Sequence, residues 1–217
     1  MIFRDRVDAG KQLAAQLAFL KDQPNIIVLG IPRGGVVVAA EVAQTLNAPL
    51  DIFLAHKIGA PFNPELAIGA VTSNGDVLLD DVLVRQLRLS QKEIARAVEQ
   101  QRAEMTQRLE TFRQDRPPLD VKNKTVVLID DGVATGSTVL ASLRALRKQN
   151  PARLILAIPV GPSDTLERLS RECDQLIVLD MPEPFYAVGR FYRQFEQTSD
   201  AEVIALLAAT HDVKRDA

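Results

Sequence analysis

Tryptophan is absent from the 217 residues, and tyrosine and histidine occur only twice each. The single cysteine, Cys173, excludes an internal disulfide and any cysteine-based metal site, and it is expected as a buried thiol. No His/Cys ligand cluster can be assembled. No apolar run approaches the length of a bilayer span, so no membrane partner is expected. Neither charge sign dominates: 26 Lys and Arg face 28 Asp and Glu, a net charge of −2. That balance argues against nucleic-acid binding. Arg4, Asp5, Arg6 and Asp8 show no signal-peptide pattern, so a cytoplasmic setting is expected. Repeats and low-complexity segments are also missing. With 47% hydrophobic and 25% charged residues, one ample core is expected, with residues 1–217 as a single domain.

The most informative stretch runs from Val126 to Thr138. Val126-Val127-Leu128-Ile129 reads as a short buried strand. Asp130 and Asp131 follow at its end. Gly132-Val133-Ala134-Thr135-Gly136-Ser137-Thr138 then opens a helix continued by Val139, Leu140, Leu143 and Leu146. A helix start offers unpartnered N–H groups and partial positive charge. Gly132 and Gly136 let backbone approach a phosphate, and Thr135, Ser137 and Thr138 add hydroxyl donors. The two acids suit a sugar diol. The stretch therefore reads as a ribose 5-phosphate cradle. No Lys follows Gly136, as a Walker loop requires, and the acids precede the glycines, opposite to a dinucleotide fingerprint. The plainer alternative is a polar turn that caps the next helix.

The remaining chain alternates strands and helices. A helix is expected over 4–21, strands over 25–29 and 50–54, and a helix over 36–46 between them. Such βαβ units predict a doubly wound, mainly parallel sheet of about five strands, completed by strands near 154–158 and 176–179. Between strand and helix, Gly30-Ile31-Pro32-Arg33-Gly34-Gly35 exposes N–H groups, and Arg33 supplies a fork for phosphate oxygens. Residues 56–66 read as a Gly/Pro-rich loop and lid candidate, returning through a strand at 67–71. An Asn-Gly turn at 73–76 leads to a strand at 77–79. Residues 80–118 form a helical insertion whose long helix starts at a Ser90/Glu93 capping box. Its thin apolar stripe (Ile94, Val98, Met105, Leu109, Phe112) predicts packing along one edge. The alternatives are an arm over the site or a homodimer contact. Residues 181–210 hold five of the ten aromatics between 185 and 195, which suggests a stacking surface for a planar ligand. A last helix begins at Ser199 and Glu202, and 211–217 is expected to fray.

Four apolar residues, two acids, three free positions and Thr-Gly-x-Thr resemble the phosphoribosyl diphosphate (PRPP) motif of type I phosphoribosyltransferases. Asp130, Asp131, Thr135, Gly136 and Thr138 match it residue by residue, and the whole chain is similar to a compact group of such proteins. The resemblance implies an enzyme that moves the 5-phosphoribosyl group of PRPP to a nitrogenous base and releases pyrophosphate. Mg²⁺ arrives on the PRPP diphosphate, and no protein-held metal is implied. Asp130 and Asp131 would hold the ribose hydroxyls, and residues 132–138 the 5-phosphate. Pro32, Arg33, Gly34 and Gly35, with Lys57 at the start of the lid, would take the pyrophosphate. Several family members have a basic pair at that start; here Lys57 is kept and His56 stands where an Arg is expected. After the last core strand comes the "hood", with Phe185 and then Tyr186 as base-stacking candidates. The other reading is a PRPP- or nucleotide-binding regulator that turns nothing over.

Overall fold

The computed structural model describes residues 1–73, 75–114 and 116–212, apart from the side chains at 64, 65 and 210–212. Five parallel strands form the main sheet: β1 (Ile26–Gly30), β2 (Leu50–Ile52), β6 (Thr125–Ile129), β7 (Arg153–Val160) and β8 (Gln175–Asp180), in the order β2-β1-β6-β7-β8. Alternation along each central strand divides its side chains between two cores. Val28, Val127, Ile129, Ile155 and Ala157 face helices α1 (Arg6–Gln16), α2 (Gly34–Leu46) and α7 (Asp200–Asp212). Ile27, Leu29, Val126, Leu128, Leu154 and Leu156 face α5 (Ser137–Lys148) and α6 (Ser163–Ser170). Near-continuous Val/Ile/Leu runs are what a sheet covered on both faces requires. Each fully buried Leu, Ile or Val contributes about 1.5–3 kcal/mol. The α/β, doubly wound expectation holds.

Residues 56–66 are not an irregular loop. Strand β3 (Ala55–Ala60) pairs antiparallel with β4 (Asn63–Thr72), which pairs with β5 (Val77–Leu79) to form a separate three-stranded sheet. Pro61 and Phe62 make the turn. Ile58, Ala60, Ile68 and Val71 are buried against the main core, so packing overrides the chain-breaking signal of Gly59 and Pro61. Gly69 is needed here, because an added Cβ would collide with the Leu78 carbonyl oxygen. Asn74 of the expected Asn-Gly turn, and the tail beyond residue 212, lie outside the described residues.

The insertion contains a short helix, α3 (Asp81–Gln86), and the long α4 (Gln91–Arg113). Both limbs of the Ser90/Glu93 capping box are formed. Ile94, Val98, Met105 and Phe112 are buried, and α4 lies along β3, β4 and α7. Its far end is fixed by a buried fork: Arg113 Nε and Nη2 donate to Asp51 Oδ1 and Oδ2, each at 3.0 Å. Arg113 also donates to the Ile52 carbonyl at 2.9 Å, and the Leu119 N–H donates to Asp51. The short edge strand β2 is thus covered.

Candidate functional site

The site lies at the carboxyl ends of β1 and β6. These strands are neighbours, with Gly30 opposite Ile129, so their following loops leave the sheet side by side. Ligands in open α/β sheets bind at this end. Asp131 N donates to Asp130 Oδ1 at 2.9 Å, which fixes the first acid against its own backbone. Gly34 and Gly35 press directly on the pair. A Cβ on Gly35 would stand 2.8 Å from Asp130 Cα, and one on Gly34 would collide with Asp131 Oδ2. The peptide joining Pro32 to Arg33 is cis. The contacts of Gly34 and Gly35 with the two acids join the loops after β1 and β6 into one surface.

Gly136 adopts the left-handed conformation (φ 69°) that favours glycine, and it leads into α5 without a side-chain cap. The first-turn N–H groups of α5 therefore face outward as donors. Helix α6 braces this loop from behind. Thr165 Oγ1 donates to the Ala134 carbonyl at 2.9 Å, and Arg168 donates to the Thr135 carbonyl. With those carbonyls engaged, the exposed Thr135, Ser137 and Thr138 line the outer face of the turn, where Thr135 Oγ1 and Ser137 Oγ lie 3.4 Å apart. Val133 is instead buried in the core, and its N–H donates to the Val160 carbonyl. Gly132 allows close approach of the 3-10 turn Val188–Phe191, whose Val188 a Cβ there would strike.

Burial drives the electrostatics. Desolvation first, and the charge of Asp131 second, push the Asp130 carboxyl well above the ordinary carboxylate range. Desolvation also raises Asp131, but Arg6 opposes the shift. Arg6 Nε donates to Asp131 Oδ2 at 2.6 Å. The Tyr192 hydroxyl donates to the Asp131 carbonyl at 2.5 Å, and burial raises the phenol's pKa. Neither Arg6 nor Tyr192 stands out in the sequence. The Arg4-Asp5-Arg6-Asp8 cluster reads there only as a charged helix start.

Other expected residues spread more widely. Arg33 Nη1 lies 3.4 Å from Asp200 Oδ1 at the start of α7. Lys57 is exposed on β3 and lines a cavity of about 560 Å³ with His56, Gln100, Gln101 and Thr138. Helix α4 thus packs along one edge and also borders the loop that starts α5. Burial, then Arg108, lower the His56 pKa. The aromatic excess is mostly a small core that binds the chain's start to the hood. Phe3 N–H donates to the Phe191 carbonyl at 2.8 Å, and Phe3 packs on Tyr192. Phe185 stacks on Phe191 with centroids 5.3 Å apart, whereas Tyr186 is 72% exposed. Cys173 is half-buried, not fully enclosed, and burial raises its thiol pKa. Among the described residues, no three His, Cys, Asp or Glu side chains converge as a metal cluster, and no helix is long and apolar enough to cross a membrane.

The protein is thus an α/β protein of parallel-sheet class in which two glycine-bearing loops flank an acid pair at the carboxyl ends of neighbouring strands. The model of the phosphoribosyl transferase domain matches residues 2–186, and the chain belongs to that family. A Mycobacterium tuberculosis protein provisionally named a phosphoribosyl transferase is 42% identical over 210 residues, covering 97% of this chain and 47% of that protein. The chain thus spans about half the length of that relative. The crystal structure of TT1426 from Thermus thermophilus is similar with a TM-score of 0.87 and 41% identity, over 96% of this chain and 99% of that one. A 69-residue stretch, 30% of this chain and 25% of the relative, is 35% identical to a ribose-phosphate pyrophosphokinase of Pyrococcus furiosus.

Proposed function

We propose that the protein transfers the 5-phosphoribosyl group of PRPP to a nitrogenous base and releases pyrophosphate. One observation carries this reading: Gly34 and Gly35 are packed onto Asp130 and Asp131 beside the uncapped start of α5. A ribose bearing phosphates at both ends needs that order of groups. Donors of residues 132–138 hold the 5-phosphate, and the acids take the ribose hydroxyls. The Gly34 and Gly35 N–H groups, with Arg33 and Lys57, face the diphosphate. In the transfer the C1–O bond breaks, and its electron pair leaves with pyrophosphate. The acceptor nitrogen gives C1 its lone pair, and its N–H proton is released to water or to the pyrophosphate. Positive charge builds on the ribose ring between these events, and Asp131 opposes it. When bound, magnesium carried in on the PRPP diphosphate would withdraw charge from the departing pyrophosphate. Tyr186 is the exposed hood aromatic, and Phe185 lies behind it on Phe191.

Incubation of the purified protein with PRPP, Mg²⁺ and pooled bases, following pyrophosphate, tests this. Base-dependent release is the expected result. Binding of PRPP without release moves the protein to a non-catalytic regulator, and no binding removes the reading altogether.

A further inference from the structure

Arg6 has a role that the strand, the acids and the phosphate loops do not assign. Its side chain is 12% exposed, and that of Asp131 is 15% exposed. Arg6 Nε meets Asp131 Oδ2 at 2.6 Å, Nη1 donates to the Glu196 carbonyl at 2.8 Å, and the guanidinium lies 3.9 Å from the Phe195 ring centroid. One side chain thus touches a ribose acid, the hood's backbone and the hood's aromatic cluster. Space for it depends on Gly34, where a Cβ would stand 2.6 Å from Arg6 Nε. The N-cap of α1 fixes its approach: Asp5 Oδ1 accepts from Asp8 N at 2.7 Å, and Arg6 is the first residue of that helix.

We propose that Arg6 is a positioning residue of the ribose site. It makes the two adjacent acids unequal, holding Asp131 as the charged, fixed member while Asp130 keeps the proton, and it ties that choice to a seated hood. The inference rests on the reading of Asp130 and Asp131 as the ribose-binding pair. The geometry supports the asymmetry, because Arg6 reaches Asp131 but makes no hydrogen bond to Asp130. The groups facing Asp131 are Asp130 from its own strand end, Arg6 from α1 and the Tyr192 phenol from the hood. Asp8, also on α1, bears on Tyr192. From the Gly34–Gly35 side no charge is added, since Arg33 pairs with Asp200. Two buried carboxylates this close cannot both ionise cheaply, and an arginine on one of them decides which does.

The test is a pH titration of ¹³C-labelled aspartate carboxyls by NMR, with PRPP and Mg²⁺ binding followed by calorimetry from pH 5 to 9. In the wild type, Asp131 is expected to titrate below Asp130. In R6Q the Asp131 midpoint should rise by about one pH unit or more, with PRPP bound roughly tenfold more weakly at pH 7. R6K should restore most of both, because it returns the charge. A purely structural Arg6 would lower Tm in R6Q and leave the midpoint unmoved, which overturns the proposal. Should R6Q fail to fold, a wild-type Asp131 that titrates above Asp130 overturns it equally. If the wild type binds no PRPP, the ribose reading fails, while the carboxyl titration still decides the role of Arg6.

Discussion

Gly34 and Asp131 lie so close that no side chain fits between them: a Cβ on Gly34 would overlap Asp131 Oδ2. Residues almost a hundred positions apart therefore form a single wall, because β1 and β6 are neighbours in the sheet. G34A is expected to push the acid and Arg6 aside. Overpacking of this kind costs about 1–3 kcal/mol, or roughly 5- to 150-fold in PRPP affinity by calorimetry. An unchanged affinity would separate the glycine loop from the acid pair.

Asp130 sets a pH dependence of stability. Its folded-state pKa is raised, chiefly by burial, above the ordinary 3.8. Above pH 3.8 the unfolded chain releases a proton that the folded chain retains. Stability from this group is thus fully present below that value and is lost as pH rises through the higher folded value. D130N keeps an oxygen for the Asp131 N–H and removes the titration. Its Tm should exceed that of the wild type by roughly 2–6 °C at pH 8, with the gap closing towards pH 4. D130N combined with D131N should fold and show no turnover.

The buried Arg113–Asp51 fork, with side chains only 9% and 8% exposed, anchors α4. R113M leaves Asp51 charged and unpaired. A loss of about 3–5 kcal/mol is expected, with Tm falling by roughly 6–20 °C in a thermal melt. PRPP affinity measured well below that Tm should stay near the wild-type value.

Thr165 Oγ1 donates to the Ala134 carbonyl in the loop proposed to hold the 5-phosphate. T165V keeps the shape and removes the donor. About 1 kcal/mol is expected, read as roughly fivefold weaker binding of PRPP and a Tm lower by roughly 2–4 °C.

The two hood aromatics should separate by assay. Y186A removes an exposed ring and should raise the KM for the acceptor without moving Tm. F185A breaks the stack on Phe191 and should lower Tm by roughly 2–6 °C. The opposite pattern would exchange their roles.

Much of the architecture was legible in local sequence. Val126–Ile129 and Leu154–Ile158 are continuous apolar runs, and a sheet buried on both faces needs such runs. Ser90 and Glu93 marked the start of α4 because a capping box involves only four adjacent residues. Gly59 and Pro61 misled, since they mark a break, yet Ile58, Ala60 and Ile68 gain more by burial as a hairpin than an open loop would. Half of the chain's aromatics fall between 185 and 195, a pattern that reads as a ligand surface. Phe191 and Tyr192 instead close on Phe3, a partner no local pattern reveals.

The order of apolar strand, acid pair and glycine loop belongs to the sequence alone, because each depends on neighbouring residues: hydrophobic runs, a helix start, and positions that tolerate no side chain. Folding decided which distant groups meet those residues. Arg6 on Asp131, Thr165 behind Ala134, Arg113 on Asp51 and Gly34 against the acids all follow from strand order and helix packing. Such contacts join residues far apart in the chain, and their charge, burial and proton occupancy exist only once the core has excluded water.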